Sequence, residues 1–181
     1  AIGRTFQESF QKALRGLEVG IDGLNPITDD KADIIAEIRE PKDKRILFVA
    51  DAFRVGMSVD EVFNHTKIDR WFLHKLEGLY KMRCELKEFN KLEEVPDELL
   101  LQSKKFGFSD FQLARFVLKP GLREMHTGQL AVREYRKSKG ITPFIKQIDT
   151  LAGEYPAQTN YLYVTYNGTE NDVTFEHDNK S

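Results

Sequence analysis

The stretch DRWFLHKLEGLYKMRCELKEFNKL, residues 69–92, decides the fold that the sequence predicts. Its apolar residues recur at intervals of three or four, the spacing that aligns side chains on one face of an α-helix: Phe72, Leu76, Leu79, Met82, Leu86 and Phe89. Trp71, Leu73 and Tyr80 lie beside this stripe and widen it. Residues 69–92 therefore predict the longest helix of a helical core. Any part of its apolar face that the chain leaves uncovered would mark a partner surface, so self-association through this helix or a neighbouring face is a candidate function.

Capping signals predict further helices around this segment. Glu8 follows Thr5 by three residues, and Glu61 follows Ser58 by three, which is the pattern of a capping box at a helix N-terminus. One helix is therefore predicted from Thr5 to near Gly20, and a short one after Ser58. Other helices are predicted from Asp29 or Asp30 to Pro41, and over residues 97–106, 109–118 and 127–139.

In two regions the sequence favours, or is compatible with, a β-strand. Residues 45–54 (RILFVADAFR) contain five consecutive apolar residues, which suit a buried strand as well as a buried helix, and the ADAFR ending favours a helix. Residues 161–166 (YLYVTY) are aromatic and β-branched and predict a strand, with a turn at 167–168 and another short extended piece at 173–175. The predicted fold class is all-α, with six to eight helices and a short extended C-terminal segment.

Composition excludes several classes of protein. The 181 residues suit about one domain, and 27 Lys+Arg against 29 Asp+Glu give a net charge of -2. Such a chain lacks the bulk positive field that draws proteins onto nucleic acid or acidic lipid. No apolar run approaches the roughly 20 residues that span a bilayer.

The single Cys84 favours a reducing compartment, so we expect a cytoplasmic protein. The start at Ala1, without a secretory signal, suggests an excised piece of a longer chain.

The residues that usually carry chemistry are scattered. Neither of the two glycine-rich phosphate-loop patterns is present. No pair of the four histidines has ligand spacing: His65, His74, His126 and His177. His74 is expected to be partly buried beside the apolar stripe, and Cys84 to be an unreactive helix residue. The sequence predicts no catalytic, cofactor-binding or metal-binding residue.

One alternative function is a helix–turn–helix module that binds nucleic acid. Residues 106–117 (FGFSDFQLARFV) and 127–139 (TGQLAVREYRKSK) have roughly the required arrangement. The second segment and its approach carry five basic residues that could meet phosphates: Arg123, Arg133, Arg136, Lys137 and Lys139. Against this reading, Glu124 and Glu134 interrupt the basic face, and the nine residues between the segments exceed a tight turn.

Several stretches together resemble one protein family. They are residues 1–17 (AIGRTFQESFQKALRGL), 68–73 (IDRWFL) and 145–168 (IKQIDTLAGEYPAQTNYLYVTYNG), with 45–62 (RILFVADAFRVGMSVDEV) and 105–113 (KFGFSDFQL) between them. In this order they resemble the central region of the carbamoyl-phosphate synthetase large chain, and the last run looks like the animal-type version. The resemblance covers nearly the whole chain, although the region 119–127 is longer than the family pattern.

The resemblance implies a division of the chain. Residues 1–20 would be the tail of an ATP-grasp half that makes carboxyphosphate, residues 21–168 a helical oligomerization domain, and residues 169–181 a linker toward a second ATP-grasp half. None of the family's nucleotide, metal or bicarbonate motifs matches a position here, so the implied role is a non-catalytic spacer that self-associates.

The resemblance also implies the parent reaction. The parent enzyme would be an ATP-dependent ligase that makes carbamoyl phosphate from bicarbonate, ammonia or glutamine and two ATP, for arginine or pyrimidine synthesis. It would use Mg or Mn, and a glutaminase subunit or domain is a further implied partner. No nucleic acid or membrane partner is expected.

Overall fold

The computed structural model describes residues 1–151, 153–155 and 161–173. The expectations for residues 174–175, for His177 and for most of the linker at 169–181 therefore concern residues outside these ranges. No helix among the described residues is both long and apolar enough to cross a membrane.

Within the described ranges the chain forms eight α-helices and one two-stranded sheet, which confirms the predicted fold class. The helices are α1 (Phe6–Gly16), α2 (Lys31–Arg39), α3 (Arg45–Arg54), α4 (Val59–Thr66), α5 (Arg70–Lys87), α6 (Asp97–Lys105), α7 (Asp110–Leu113) and α8 (Met125–Ser138). Short 3-10 turns occupy Leu92–Glu94 and Leu122–Glu124. The strands β1 (Phe144–Gln147) and β2 (Leu162–Thr165) pair antiparallel, with Ile145 opposite Val164.

Local capping explains where several helices begin. The Glu61 N–H donates to Ser58 Oγ at 3.2 Å, and the Ser58 N–H donates to the Glu61 carboxylate at 2.7 Å, so the capping box predicted at Ser58 is confirmed. At Thr5 only one half forms, because the Glu8 N–H donates to Thr5 Oγ1 at 3.2 Å whereas the Glu8 carboxylate accepts from the Arg4 N–H instead. Asp30 caps α2 by accepting from two backbone N–H groups. These bonds satisfy donors that the first turn of a helix leaves free.

Helix α5 lies in the middle of the core. Five of its side chains are buried against α1, α3 and α4 and the turn after α7: Leu73, Leu76, Leu79, Met82 and Leu86. The predicted stripe is wrong by one residue at its start, because Leu73 is fully buried whereas Phe72 is 42% exposed. Hydrophobic periodicity does not distinguish between two adjacent apolar residues, and the packing of neighbouring helices decides which of them is covered.

Other differences from the sequence reading are local. Helix α1 ends at Gly16 rather than near Gly20, and the predicted helix at 109–118 divides into α7 and a π-helical turn, Ala114–Leu118. Leu130 on α8 is 43% exposed. The sequence does not predict strand β1, because its four residues, FIKQ, show no alternation of apolar and polar types.

We predict that truncating a buried leucine lowers the free energy of unfolding more than truncating an exposed one. Leu73→Ala removes a fully buried side chain and should lower the free energy of unfolding by about 2–5 kcal/mol. Leu130→Ala removes an equally large but exposed side chain and should cost less than about 1 kcal/mol. Urea denaturation of both variants measures the difference, and equal costs would contradict the placement of α5.

Candidate functional site

A buried carboxylate joins the first helix to the second strand. Glu8 on α1 is 2% exposed, and its Oε2 accepts hydrogen bonds from Thr165 Oγ1 at 2.9 Å and Asn167 Nδ2 at 3.0 Å. The same oxygen accepts from the Arg4 N–H at 2.9 Å, while Lys12 Nζ donates to Oε1 at 2.8 Å. Burying a charge without partners is strongly unfavourable, so these four donors are what permit a carboxylate here.

The hydrogen bonds also set the protonation state of Glu8. Burial by itself would raise the pKa of the carboxyl group, but the bonds from Lys12, Arg4, Asn167 and Thr165 outweigh it and lower the pKa below its ordinary value of 4.5. The carboxylate is therefore ionised in the folded protein at neutral pH.

Further bonds tie the two ends of the described chain together. Lys12 Nζ donates to the carbonyl of Val164 at 2.6 Å, and Arg4 Nη1 donates to the carbonyl of Asn167 at 3.1 Å. Together with the bonds of Glu8 they form what we call the chain junction, residues 4–12 against residues 163–167. The segments that enter and leave the helical body consequently lie side by side.

A close backbone approach reinforces this junction. Gly107, between α6 and α7, has φ +88°, and a Cβ atom there would lie 2.9 Å from the Cα atom of Glu8. Arg15 Nη1 donates to the Gly107 carbonyl at 2.9 Å, and Gln11 Nε2 to the Phe106 carbonyl at 3.0 Å. Helix α1 can lie this close only because residue 107 lacks a side chain.

A second feature is a partly exposed cluster of four aromatic rings, which we call the aromatic patch: Phe6, Phe10, Trp71 and Phe72. Phe6 is the hub, with ring centroids 5.5 Å from Phe10, 5.7 Å from Trp71 and 5.3 Å from Phe72. Trp71 remains 51% exposed and Phe72 42%. Contiguous exposed apolar surface of this kind is typical of partner-binding regions.

Of the five basic residues predicted on the face of a helix–turn–helix module, Arg136 and Lys139 are engaged in ion pairs, and Arg123, Arg133 and Lys137 are exposed. Arg136 is 8% exposed, its Nε lies 3.0 Å from both carboxylate oxygens of Asp110, and its Nη1 donates to the Ile141 carbonyl. Lys139 pairs with Asp97 at 3.0 Å. The π-helical turn also cuts α7 to four residues, too short for a groove-docking pair of helices. Nothing in the geometry supports nucleic-acid binding through α8.

Asp110 also holds a buried lysine. Lys104 is 5% exposed, and its Nζ donates to Asp110 Oδ1 and to the Phe108 carbonyl, both at 2.7 Å. Burial lowers the pKa of Lys104 to about 8, although Asp110 favours the charged form. Burial likewise raises the pKa of the neighbouring Tyr166 to about 12. Sequence reasoning missed this cluster, whose members are drawn from α6, α7, α8 and the segment after β2.

The three described histidines and the cysteine lie on α4, α5 and α8. His65 Nδ1 accepts from Arg39 Nε at 3.3 Å, and His74, expected to be partly buried, is instead exposed beside Glu77. Cys84 is a half-buried free thiol on α5. Among the described residues, no three side chains of the metal-ligating types are grouped closely enough to hold an ion.

Comparison with known proteins identifies what the chain resembles. Residues 1–140 match the protein family described as carbamoyl-phosphate synthetase large chain, oligomerisation domain. The chain is 47% identical over 182 residues to the mitochondrial carbamoyl-phosphate synthase [ammonia] of Rattus norvegicus. It is 45% identical over 177 residues to the multifunctional protein URA2 of Saccharomyces cerevisiae, and 45% identical over 179 residues to the multifunctional protein CAD of Squalus acanthias. Each match covers 97% of this chain, but only 12%, 8% and 7% of the respective relative.

We predict that the contribution of Glu8 to stability depends on pH. Glu8→Gln keeps the size of the side chain but removes the charge, and at pH 7 it should lower the free energy of unfolding by about 1–3 kcal/mol. Because folding lowers the pKa of Glu8 below 4.5, its stabilising contribution is complete above that pH and is lost as the pH falls through the lower, folded-state pKa.

Urea denaturation of both proteins between pH 7 and pH 3 measures this effect. The gap between wild type and Glu8→Gln should narrow below the ordinary carboxyl pKa of 4.5. The exposed Glu93→Gln serves as the matched control and should leave stability nearly unchanged at every pH. A gap that stays constant down to pH 3 would show that the charge of Glu8 is irrelevant to the chain junction.

Proposed function

The chain belongs to the carbamoyl-phosphate synthetase large-chain family, matching its oligomerisation domain, and from this premise we propose that it is a spacer and self-association domain within a larger enzyme. The observation that carries the spacer role is the chain junction at Glu8, which holds the first and last described segments side by side. Because these two segments lie side by side, domains attached before and after them would lie next to each other.

The proposed boundaries follow from the resemblance of the sequence to the family, whereas the family match itself runs over residues 1–140. Residues 1–20 are the tail of a preceding ATP-grasp half, residues 21–168 the helical domain, and residues 169–181 a linker toward a second half. The tail is also part of the helical body in a physical sense, because Phe6 and Glu8 of α1 pack against α5 and β2.

The reaction of the whole protein is proposed from its relatives. The chain spans about a tenth of the length of the relatives that it matches, one of which is named carbamoyl-phosphate synthase [ammonia]. We assign the parent protein the synthesis of carbamoyl phosphate from bicarbonate, ammonia or glutamine and two ATP, for arginine or pyrimidine production. ATP and Mg or Mn would bind in the ATP-grasp halves, a glutaminase subunit or domain would be a further partner, and the compartment would be the cytoplasm.

The aromatic patch is the surface that we assign to self-association. The patch joins α1 and α5, and its two most exposed rings, Trp71 and Phe72, are of the type that anchors protein interfaces. A second copy of the chain would bring an identical patch, and a closed two-fold pair buries both at once. The family description as an oligomerisation domain supports this choice of partner.

We expect the purified chain to show no ATPase activity and no synthesis of carbamoyl phosphate. The reason is that, among the described residues, the histidines, the cysteine and the acids form no cluster of metal-ligating type, and the buried acids Glu8 and Asp110 are engaged in structural bonds. A coupled assay for ADP release, run beside an assay for carbamoyl phosphate, measures both activities. Turnover of either kind above the background of a heat-denatured sample would overturn the non-catalytic role.

Truncation of Trp71 should weaken self-association without unfolding the chain. Trp71→Ala removes a half-exposed ring from the centre of the proposed interface and should cost about 2 kcal/mol of association, roughly 30-fold in Kd. Leu122→Ala is the control, because Leu122 is 96% exposed and lies outside the patch. Sedimentation equilibrium across a concentration series measures both variants. A wild-type chain that is monomeric throughout, or equal Kd values for both variants, would rule out the patch as the interface.

A further inference from the structure

A cleft between the end of α5 and the π-helical turn is lined by positively charged side chains. Its walls are the end of α5, which supplies Arg83 and Lys87, and the π-helical turn with the residue after it, which supplies Arg115, Phe116 and Lys119. The cleft has a volume of about 380 Å³ and no acidic residue among those that line it. Four cationic groups therefore converge on one small concave space, which favours a ligand that carries several negative charges.

Within the described chain, a carboxylate neutralises only one of the four groups. Arg115 Nη1 lies 3.0 Å from Asp22 Oδ2. The other bonds that engage these groups are made to neutral acceptors. Arg83 donates to the Leu24 carbonyl at 2.7 Å, Arg115 to Asn25 Oδ1 at 3.0 Å, and Lys119 to the Lys87 carbonyl at 3.0 Å and to Asn90 Oδ1 at 2.8 Å. Asp51 attracts Arg83 without forming an ion pair with it, so among the described residues the cleft remains net positive.

The π-helical turn places these groups and holds them in position. The Lys119 N–H donates to the Ala114 carbonyl, five residues back, and Lys119 itself has φ +50°, a left-handed conformation that costs a residue with a side chain roughly 1–2 kcal/mol. In this conformation the Lys119 side chain reaches the end of α5, where its Nζ donates to the Lys87 carbonyl. Single π-helical turns occur frequently at functional sites, which is consistent with a conformation kept for binding.

The one aromatic ring in the cleft acts as a support. Phe116 is 3% exposed, and the guanidinium carbons of Arg83 and Arg115 lie 5.4 Å and 5.3 Å from its ring centroid. Cation–π contacts of this kind fix the orientation of both guanidinium groups before any ligand arrives. Since the ring is covered, it cannot stack on a nucleobase, so the cleft would recognise the anionic group alone.

Burial and repulsion between neighbouring cations lower the pKa values of two groups in the cleft. Burial lowers the pKa of Arg83, and the charge of Arg115 lowers it further. Burial likewise lowers the pKa of Lys87, with Arg83 as the next cause. A multivalent anion would relieve this repulsion and would be held by charge-assisted hydrogen bonds, which are about twice as strong as neutral ones.

We propose that the cleft formed by Arg83, Lys87, Arg115 and Lys119 binds a compact oxyanion of the phosphate class, either free phosphate or pyrophosphate or the phosphate group of a small metabolite. The site departs from the sequence-based expectation of no ligand-binding residue, because its members are brought together from positions up to 36 residues apart. It is independent of the proposed self-association, which uses the opposite end of α5.

Titration calorimetry of the 181-residue chain at constant ionic strength tests the proposal, with pyrophosphate and inorganic phosphate as probes and acetate as a monovalent comparison. Both phosphate probes should bind saturably, with pyrophosphate the tighter of the two, and acetate should not compete. Lys87→Gln and Lys119→Gln should each weaken pyrophosphate binding about tenfold or more, the size of effect expected for losing one charged hydrogen-bond donor.

Lys81→Gln is the matched control, since Lys81 lies on the same helix, is exposed, pairs with Glu77 and does not line the cleft. It should leave pyrophosphate affinity unchanged. Circular dichroism melts of all three variants confirm that they remain folded. Absence of saturable binding, or an equal loss of affinity in Lys81→Gln, would overturn the site. Tighter and Lys87-dependent binding of a polyglutamate peptide would also overturn it, by showing that the cleft docks an acidic protein segment instead.

Discussion

Burial of one face of α5 is the constraint on which the rest of the fold depends. Its five core side chains need cover along the whole helix, and α1, α3, α4 and the turn after α7 supply it from four parts of the chain. Fully burying side chains of this size contributes about 1.5–3 kcal/mol each relative to exposure. The remaining helices attach mainly to these covering segments, since α2 packs on α3 and α4, and α8 packs on α7 and the turn after it.

Buried charges then determine how the outer parts of the chain attach to this core. Glu8 can be buried only with four donors around it, and two of those donors, Thr165 and Asn167, arrive from the far end of the chain. Asp110 plays a comparable part, since it accepts from both Lys104 and Arg136. Removing one member of such a group leaves a charge unpaired, so these contacts specify one arrangement of the segments they join. The juxtaposition of residues 4–12 and 163–167, on which the proposed spacer role rests, follows from this requirement.

The candidate surfaces were only partly visible in the sequence. The sequence predicts that the long helix contributes apolar surface, but its periodicity assigns Phe72 to the core stripe and Trp71 to the border of that stripe. Their exposure and their contacts with Phe6 depend on how α1 crosses α5. Two of the basic residues that suggest a helix–turn–helix module in the sequence, Arg136 and Lys139, are engaged in ion pairs. The cationic cleft is formed by other residues. Side chains separated by tens of residues leave no shared pattern in the sequence.

The sequence by itself determined the helical class, the position of most helices and the capping box at Ser58, because these depend on interactions within about four residues of one another. It also determined the C-terminal strand, from its aromatic and β-branched composition. Only the tertiary structure decided that Leu73 rather than Phe72 enters the core, that β1 pairs with β2, and that Glu8 is shared between α1 and the end of the chain. Each of these outcomes is a choice between locally equivalent alternatives, and contacts between distant segments supply the free energy that separates them.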